Sequence, residues 1–97
     1  MVTKDQVFEA LRTVYDPELG VNVVDLGLIY DVAIADNTVD ITMTMTTPGC
    51  PLHQAITRGV QTTVGMLPDV FEARVELVWS PPWEPDMMSD AARALLC

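Results

Sequence analysis

Thr46-Thr47-Pro48-Gly49-Cys50-Pro51-Leu52-His53 joins two segments of different period. Before it, Val39, Ile41, Met43 and Met45 alternate with Asp40, Thr42, Thr44 and Thr46, the period-2 pattern of a strand. After it, Leu52, Ile56, Val60 and Val64 recur every four residues, with Ala55 and Leu67 on the same stripe, as in an amphipathic helix. Pro48-Gly49 interrupts the strand. Pro51 suits a first helical turn, where a missing N–H costs nothing. Cys50 therefore falls near the helix N-cap, beside unpaired N–H groups and the positive end of the helix dipole.

Working toward the N-terminus, Thr3-Lys4-Asp5-Gln6 matches a capping box, and Val2 and Val7 sit where a hydrophobic staple places them. Val7, Phe8, Leu11, Val14 and Tyr15 form one apolar stripe, so the first helix is predicted over Lys4–Tyr15. Asp16-Pro17-Glu18-Leu19-Gly20 stops it with turn chemistry, and the plain reading of its two carboxylates is a solvated turn. Val21 to Leu28 reads as a partly buried connection, in which Asp25 must find hydrogen bonds or stay at the surface. Tyr30, Val32 and Ile34 alternate with polar or small residues as a strand. Asp36-Asn37 is a two-residue turn into the Thr38–Thr46 strand, its antiparallel partner.

Toward the C-terminus, the second helix is predicted from Pro51 or Leu52 to about Met66, with His53, Gln54, Thr57, Arg58 and Gln61 on its polar side. Phe71, Ala73, Val75, Leu77 and Trp79 then give a third strand, with Trp79 on its core face. A helix between two strands implies a right-handed crossover and a parallel pair. Ser80-Pro81-Pro82-Trp83-Glu84-Pro85-Asp86 reads as irregular and extended. Trp83 either folds back over the sheet as a lid or presents a docking aromatic. Ser89 caps a short helix, Asp90–Leu96. These elements predict an α+β fold, a two-layer α/β sandwich in the order α-β-β-α-β-(short α). Its three-stranded mixed sheet carries helices on one face.

Ninety-seven residues with 49% hydrophobic and 20% charged composition form one globular domain, 1–97. Fourteen acids against five bases give a formal net charge of −9, which argues against nucleic acid and against an anionic membrane as partners. There is no apolar run of membrane-spanning length, no signal-peptide pattern and no disulfide framework in two cysteines. A cytoplasmic location with free thiols is the expectation. The acidity serves solubility or docks a basic partner.

Cys50 is the leading chemical candidate, because a helix N-terminus lowers a thiol pKa from its ordinary ~8.5 and the thiolate is both nucleophile and metal ligand. The simple alternative is a small apolar residue packed at a turn. His53 follows three residues later and can share a helical face with it. Cys-x-x-His supplies only two of the four ligands a structural metal site needs, so a solvated histidine is the plainer reading. No phosphate loop, Gly-x-Ser-x-Gly elbow or Cys-x-x-Cys pair is present.

Four stretches occur in order: Asp16-Pro17-Glu18-Leu19, Val24-Asp25-Leu26-Gly27-Leu28-Ile29-Tyr30, Thr46-Thr47-Pro48-Gly49-Cys50-Pro51 and Trp79-Ser80-Pro81-Pro82-Trp83. With them the chain, from about Gln6 to Leu95, closely resembles the SufT/PaaD-like family of iron–sulfur cluster assembly factors. The resemblance implies a non-catalytic protein that helps to mature iron–sulfur proteins. It places the family's reactive cysteine on Cys50, as a metal ligand, and its acidic turn on Asp16 and Glu18. Thr47 and His53 join the implied cluster-handling set. Ser80 stands where an Asp is commoner in the family. Without further C-terminal cysteines before Cys97, the general assembly branch fits better than the PaaD-like one.

A typical cluster takes four thiolates, and Cys50 supplies one per chain. The implied cargo is therefore a transient iron–sulfur cluster, bridging two chains in a homodimer or shared with a partner. The partners implied are the assembly machinery and recipient apo-proteins. Two rivals stand beside this reading. One is a metal-free adaptor docking recipients through its acidic face and the Trp83 segment. The other is a thiol enzyme at Cys50.

Overall fold

The computed structural model describes residues 2–16, 20–45 and 53–96, without the side chains of residues 53, 95 and 96. Helix α1 spans Lys4–Leu11. Strands β1 (Ile29–Ala35) and β2 (Thr38–Met43) follow, then helix α2 (His53–Gly65), strand β3 (Glu72–Leu77), a 3₁₀ turn at Pro85–Met87 and helix α3 (Asp90–Leu96). The sheet order is β1-β2-β3, with β1–β2 antiparallel and β2–β3 parallel. The predicted α+β element order and mixed sheet are both present.

The start of α1 is capped as its sequence predicts. Thr3 Oγ1 accepts from the Gln6 N–H at 3.2 Å, and Gln6 Oε1 accepts from the Thr3 N–H at 3.0 Å. Val2 and Val7 are both buried. The helix ends four residues earlier than its apolar stripe suggests. Val14 and Asp16 are drawn into pairing with the chain beyond the turn: Val23 N–H donates to Val14 O at 2.9 Å and Asp16 N–H to Val21 O at 3.0 Å. Tyr15 bridges to Asn22 and is exposed instead of packing on a helical face.

One face of the sheet is apolar. Val32, Val39, Ile41, Met43 and Ala73 are buried there beneath α1 and α2, whose inward residues are Val7, Leu11, Ile56, Val60 and Val64. The opposite face carries Asp31, Asp40, Glu72, Arg74 and Glu76. There Arg74 makes a two-pronged bond with Asp40, at 2.7 and 3.0 Å, which raises the guanidinium pKa above its ordinary value. The β1–β2 turn at Asp36-Asn37 is as predicted, with Asp36 in the left-handed region at φ 54°.

β2 stops at Met43, earlier than the alternation, because β3 offers its last ladder bond there, from Val78 N–H to Met43 O. The Thr44 N–H turns to Leu28 O at 2.8 Å, and Met45 remains buried. The Thr44 hydroxyl is fully buried with no hydrogen-bond partner among the described residues. Thr44→Val keeps the shape and removes that orphaned group, so it is expected to raise stability by about 1 kcal/mol in chemical denaturation.

β3 is shorter than the Phe71–Trp79 alternation. Phe71 precedes the strand and is 89% exposed. Trp79 is 42% exposed, not in the core as predicted. The ladder ends at Val78, and the prolines that follow lack the N–H groups to continue it.

Candidate functional site

The Val21–Leu28 connection is more deeply built in than its irregular pattern suggests. Val21, Val23, Leu26 and Leu28 are all buried. Asn22 and Asp25 bond reciprocally: Asn22 Nδ2 donates to Asp25 Oδ2 at 2.7 Å, and the Asp25 N–H donates to Asn22 Oδ1 at 2.9 Å. Asp25 thereby finds the hydrogen bonds that a carboxylate in an apolar run requires.

The segment after β3 straps down this connection. Trp83 Nε1 donates to Leu26 O at 2.7 Å, and the ring is partly buried against the core. Tyr30 is the extra residue of a bulge between Ile29 and Asp31. Its hydroxyl donates to Pro81 O at 2.7 Å and lies 3.6 Å from Met87 Sδ. The Ser89 N–H donates to Asp25 O at 2.7 Å, and Ser89 Oγ caps α3 by accepting from the Ala92 N–H. Gly27 has φ 78° and faces the Met87 backbone, where a Cβ would collide with the carbonyl. Trp83 is thus a lid residue. The predicted irregular path also contains the 3₁₀ turn at Pro85–Met87. Trp83→Phe keeps most of the apolar contact and loses the indole bond, so it is expected to cost about 1 kcal/mol in denaturant titration.

At the other end of the core, the Asp16 turn is closed by two backbone bonds. Asp16 N–H donates to Val21 O, and Gly20 N–H donates to Asp16 O at 2.8 Å, with Gly20 at φ 70°. Asp16 is only 5% exposed, which corrects the plain reading of a solvated carboxylate. A cleft of about 330 Å³ is lined by Thr13, Val14, Tyr15, Ala55, Ile56, Gly59 and Thr63. None of these side chains is charged, in a chain of net charge −9. Gly59 packs near Val14, with room for a Cβ at an ordinary contact distance of 3.6 Å from Val14 Cγ1. The corner at residues 13–15, which leads into Asp16, and the first turns of α2 share this cleft.

Of the residues singled out from sequence, Asp16 is buried and follows the cleft residue Tyr15 in the chain, and His53 opens α2. Cys50, Glu18, Thr47 and Cys97, with the side chain of His53, lie outside the described residues. Among the described residues no three His, Cys, Asp or Glu side chains come together as a metal site, and no helix is long and apolar enough to cross a membrane. Tyr15, Ala55 and Gly59 were not legible as cleft residues. Tyr15 counted toward a helical stripe, and Ala55 and Gly59 are brought to Tyr15 only by the packing of α2.

A mixed three-stranded sheet backed by helices, with a buried Asp16 and a cleft between Tyr15 and the first turns of α2, defines a small α+β domain. Residues 4–77 match the family model described as iron-sulfur cluster assembly protein, and the chain belongs to that family. It is 46% identical over 94 residues to the Fe-S protein maturation auxiliary factor YitW of Bacillus subtilis, covering 96% of this chain and 92% of the relative. It is 44% identical over 84 residues to the Fe-S protein maturation auxiliary factor SufT of Staphylococcus aureus, covering 86% and 96%. A crystal structure of a domain of unknown function, DUF59, from Bacillus anthracis superimposes with a TM-score of 0.91 at 43% identity, covering 96% of this chain and 90% of that one.

Proposed function

We propose that this protein takes part in the maturation of iron–sulfur proteins, handling a cluster or its iron as cargo through Cys50, a labile ligand or exchange thiol. The observation that carries the reading is the shared cleft. Tyr15 ends one of its walls, and the other is formed by α2 from Ala55 onward. Glu18 follows Asp16 by two residues, and Cys50 precedes His53 by three. In sequence, the carboxylate-bearing turn follows Tyr15 and the thiol-bearing segment leads into α2, the two elements that line the cleft. Asp16, Glu18, Thr47 and His53 are the residues we assign to support Cys50.

One thiolate cannot retain a four-thiolate cluster. A second chain or a recipient supplies the rest, and fewer protein–metal bonds must break for release. The uncharged cleft suits contact with a recipient's backbone better than capture of a free ion. Names of the relatives, as maturation auxiliary factors, support the same reading. An adaptor working through Trp83 is the less favoured reading, because the indole N–H is already bonded to Leu26 O. Neither reading makes the protein an enzyme. Anaerobic reconstitution with iron and sulfide, followed by visible absorption, tests the ligand role: a chromophore in the wild type and none in Cys50→Ser supports it.

A further inference from the structure

β3 is an edge strand, and its ladder fixes which way its backbone points. The Val78 N–H donates to Met43 O, and the Glu72 N–H reaches Asn37 O. In a parallel ladder the even residues of β3 therefore face β2. The N–H and C=O groups of Ala73, Val75 and Leu77 point to the open side. Among the described residues only one of these is engaged: Gln61 Nε2 donates to Ala73 O at 3.0 Å.

Beside this edge runs a groove of about 310 Å³ lined by Gln54, Thr57, Arg58, Gln61 and Val75. The four α2 residues have helical i, i+3, i+4, i+7 spacing, so they form one stripe along the edge. The stripe is polar throughout. Arg58 is exposed and has no acidic partner among the described residues, whereas Arg74 and Arg93 pair with Asp40 and Asp86. On the opposite face the edge presents Glu72 and Glu76.

We infer that the β3 edge and the α2 stripe form a docking site for an extended segment of a partner protein, which adds to the sheet as a fourth strand. Strand addition supplies the missing partners of Val75 and Leu77. Alternation sends successive side chains of the segment to opposite faces. The residue opposite Val75 enters the groove beside Arg58 and is an acid. The residues opposite Glu72 and Glu76, four apart on the open face, are basic. A second copy of this chain is a poorer occupant. Pairing β3 with itself about Val75 sets the two copies' Arg58 side chains against one another and packs apolar side chains on the polar stripe. The site lies on the β3 side of the domain and does not depend on Cys50.

The test uses the full chain and the peptide acetyl-Thr-Lys-Asp-Thr-Thr-Lys-amide, followed by NMR amide exchange and titration. Slowed exchange at Val75 and Leu77 on peptide addition is expected. Exchanging the peptide's Asp and first Lys, at equal composition, is expected to weaken binding about fivefold, as is Arg58→Glu. N-methylation of the Asp removes the donor to Val75 O and is expected to abolish binding. No binding by the parent peptide overturns the inference. So does binding that ignores N-methylation and leaves Val75 and Leu77 exchange unchanged. Protection of the edge in a peptide-free dimer also overturns it, by assigning the edge to a second copy.

Discussion

Gly27→Ala will lower the folding stability by about 3 kcal/mol or more, read as a fall in the denaturant midpoint at unchanged slope. Two independent costs add. An alanine at φ 78° carries a backbone penalty of about 1–2 kcal/mol. Its Cβ would also collide with the Met87 carbonyl, which is backbone and cannot swing aside as a side-chain tip can. Met87 must move, and with it the strap held by Trp83 on Leu26 O and by Ser89 on Asp25 O, each bond worth about 1 kcal/mol. Gly20→Ala is the control. Gly20 has φ 70° but open space where its Cβ would go, so only the backbone penalty applies. Equal losses at the two glycines would show that the strap does not press on Gly27.

Cys50→Ser will abolish cluster-dependent colour and cluster delivery while leaving the midpoint of unfolding within about 0.5 kcal/mol of the wild type. The substitution changes one atom. A serine hydroxyl is not deprotonated near neutral pH and is a poor ligand for iron, whereas a thiolate at a helix N-terminus is favoured. A four-thiolate cluster needs ligands beyond the chain's two cysteines, and Cys50→Ser leaves one. The adaptor reading predicts the opposite split, with delivery intact in Cys50→Ser and lost in Trp83→Ala.

Local chemistry was legible in the sequence wherever a few adjacent residues decide the outcome. Thr3 and Gln6 fix the start of α1, Asp36-Asn37 fixes the hairpin, and Ser89 fixes the start of α3. The change of period around Pro48-Gly49 located the strand-to-helix junction that bears Cys50. Single long-range contacts were not legible, because they leave no repeat. The Trp83–Leu26 and Tyr30–Pro81 bonds span 57 and 51 residues. Together with Gly27 they show that two of the motifs that carry the family resemblance hold one another in place. The early end of α1 has the same origin: Val14 pairs with Val23 across the turn, and that pairing outweighs the helical stripe. Asp16 read as a surface turn because its sequence neighbours are turn formers, whereas its burial is set by the fold around it, which leaves no local pattern.

The central claim, that Cys50 handles the cargo, is tested most directly by the iron and sulfide content of the protein purified anaerobically, wild type beside Cys50→Ser. The account predicts iron and acid-labile sulfide in the wild type and neither in the variant. Equal content in the two proteins, or none in either together with undiminished maturation by Cys50→Ser, would contradict it.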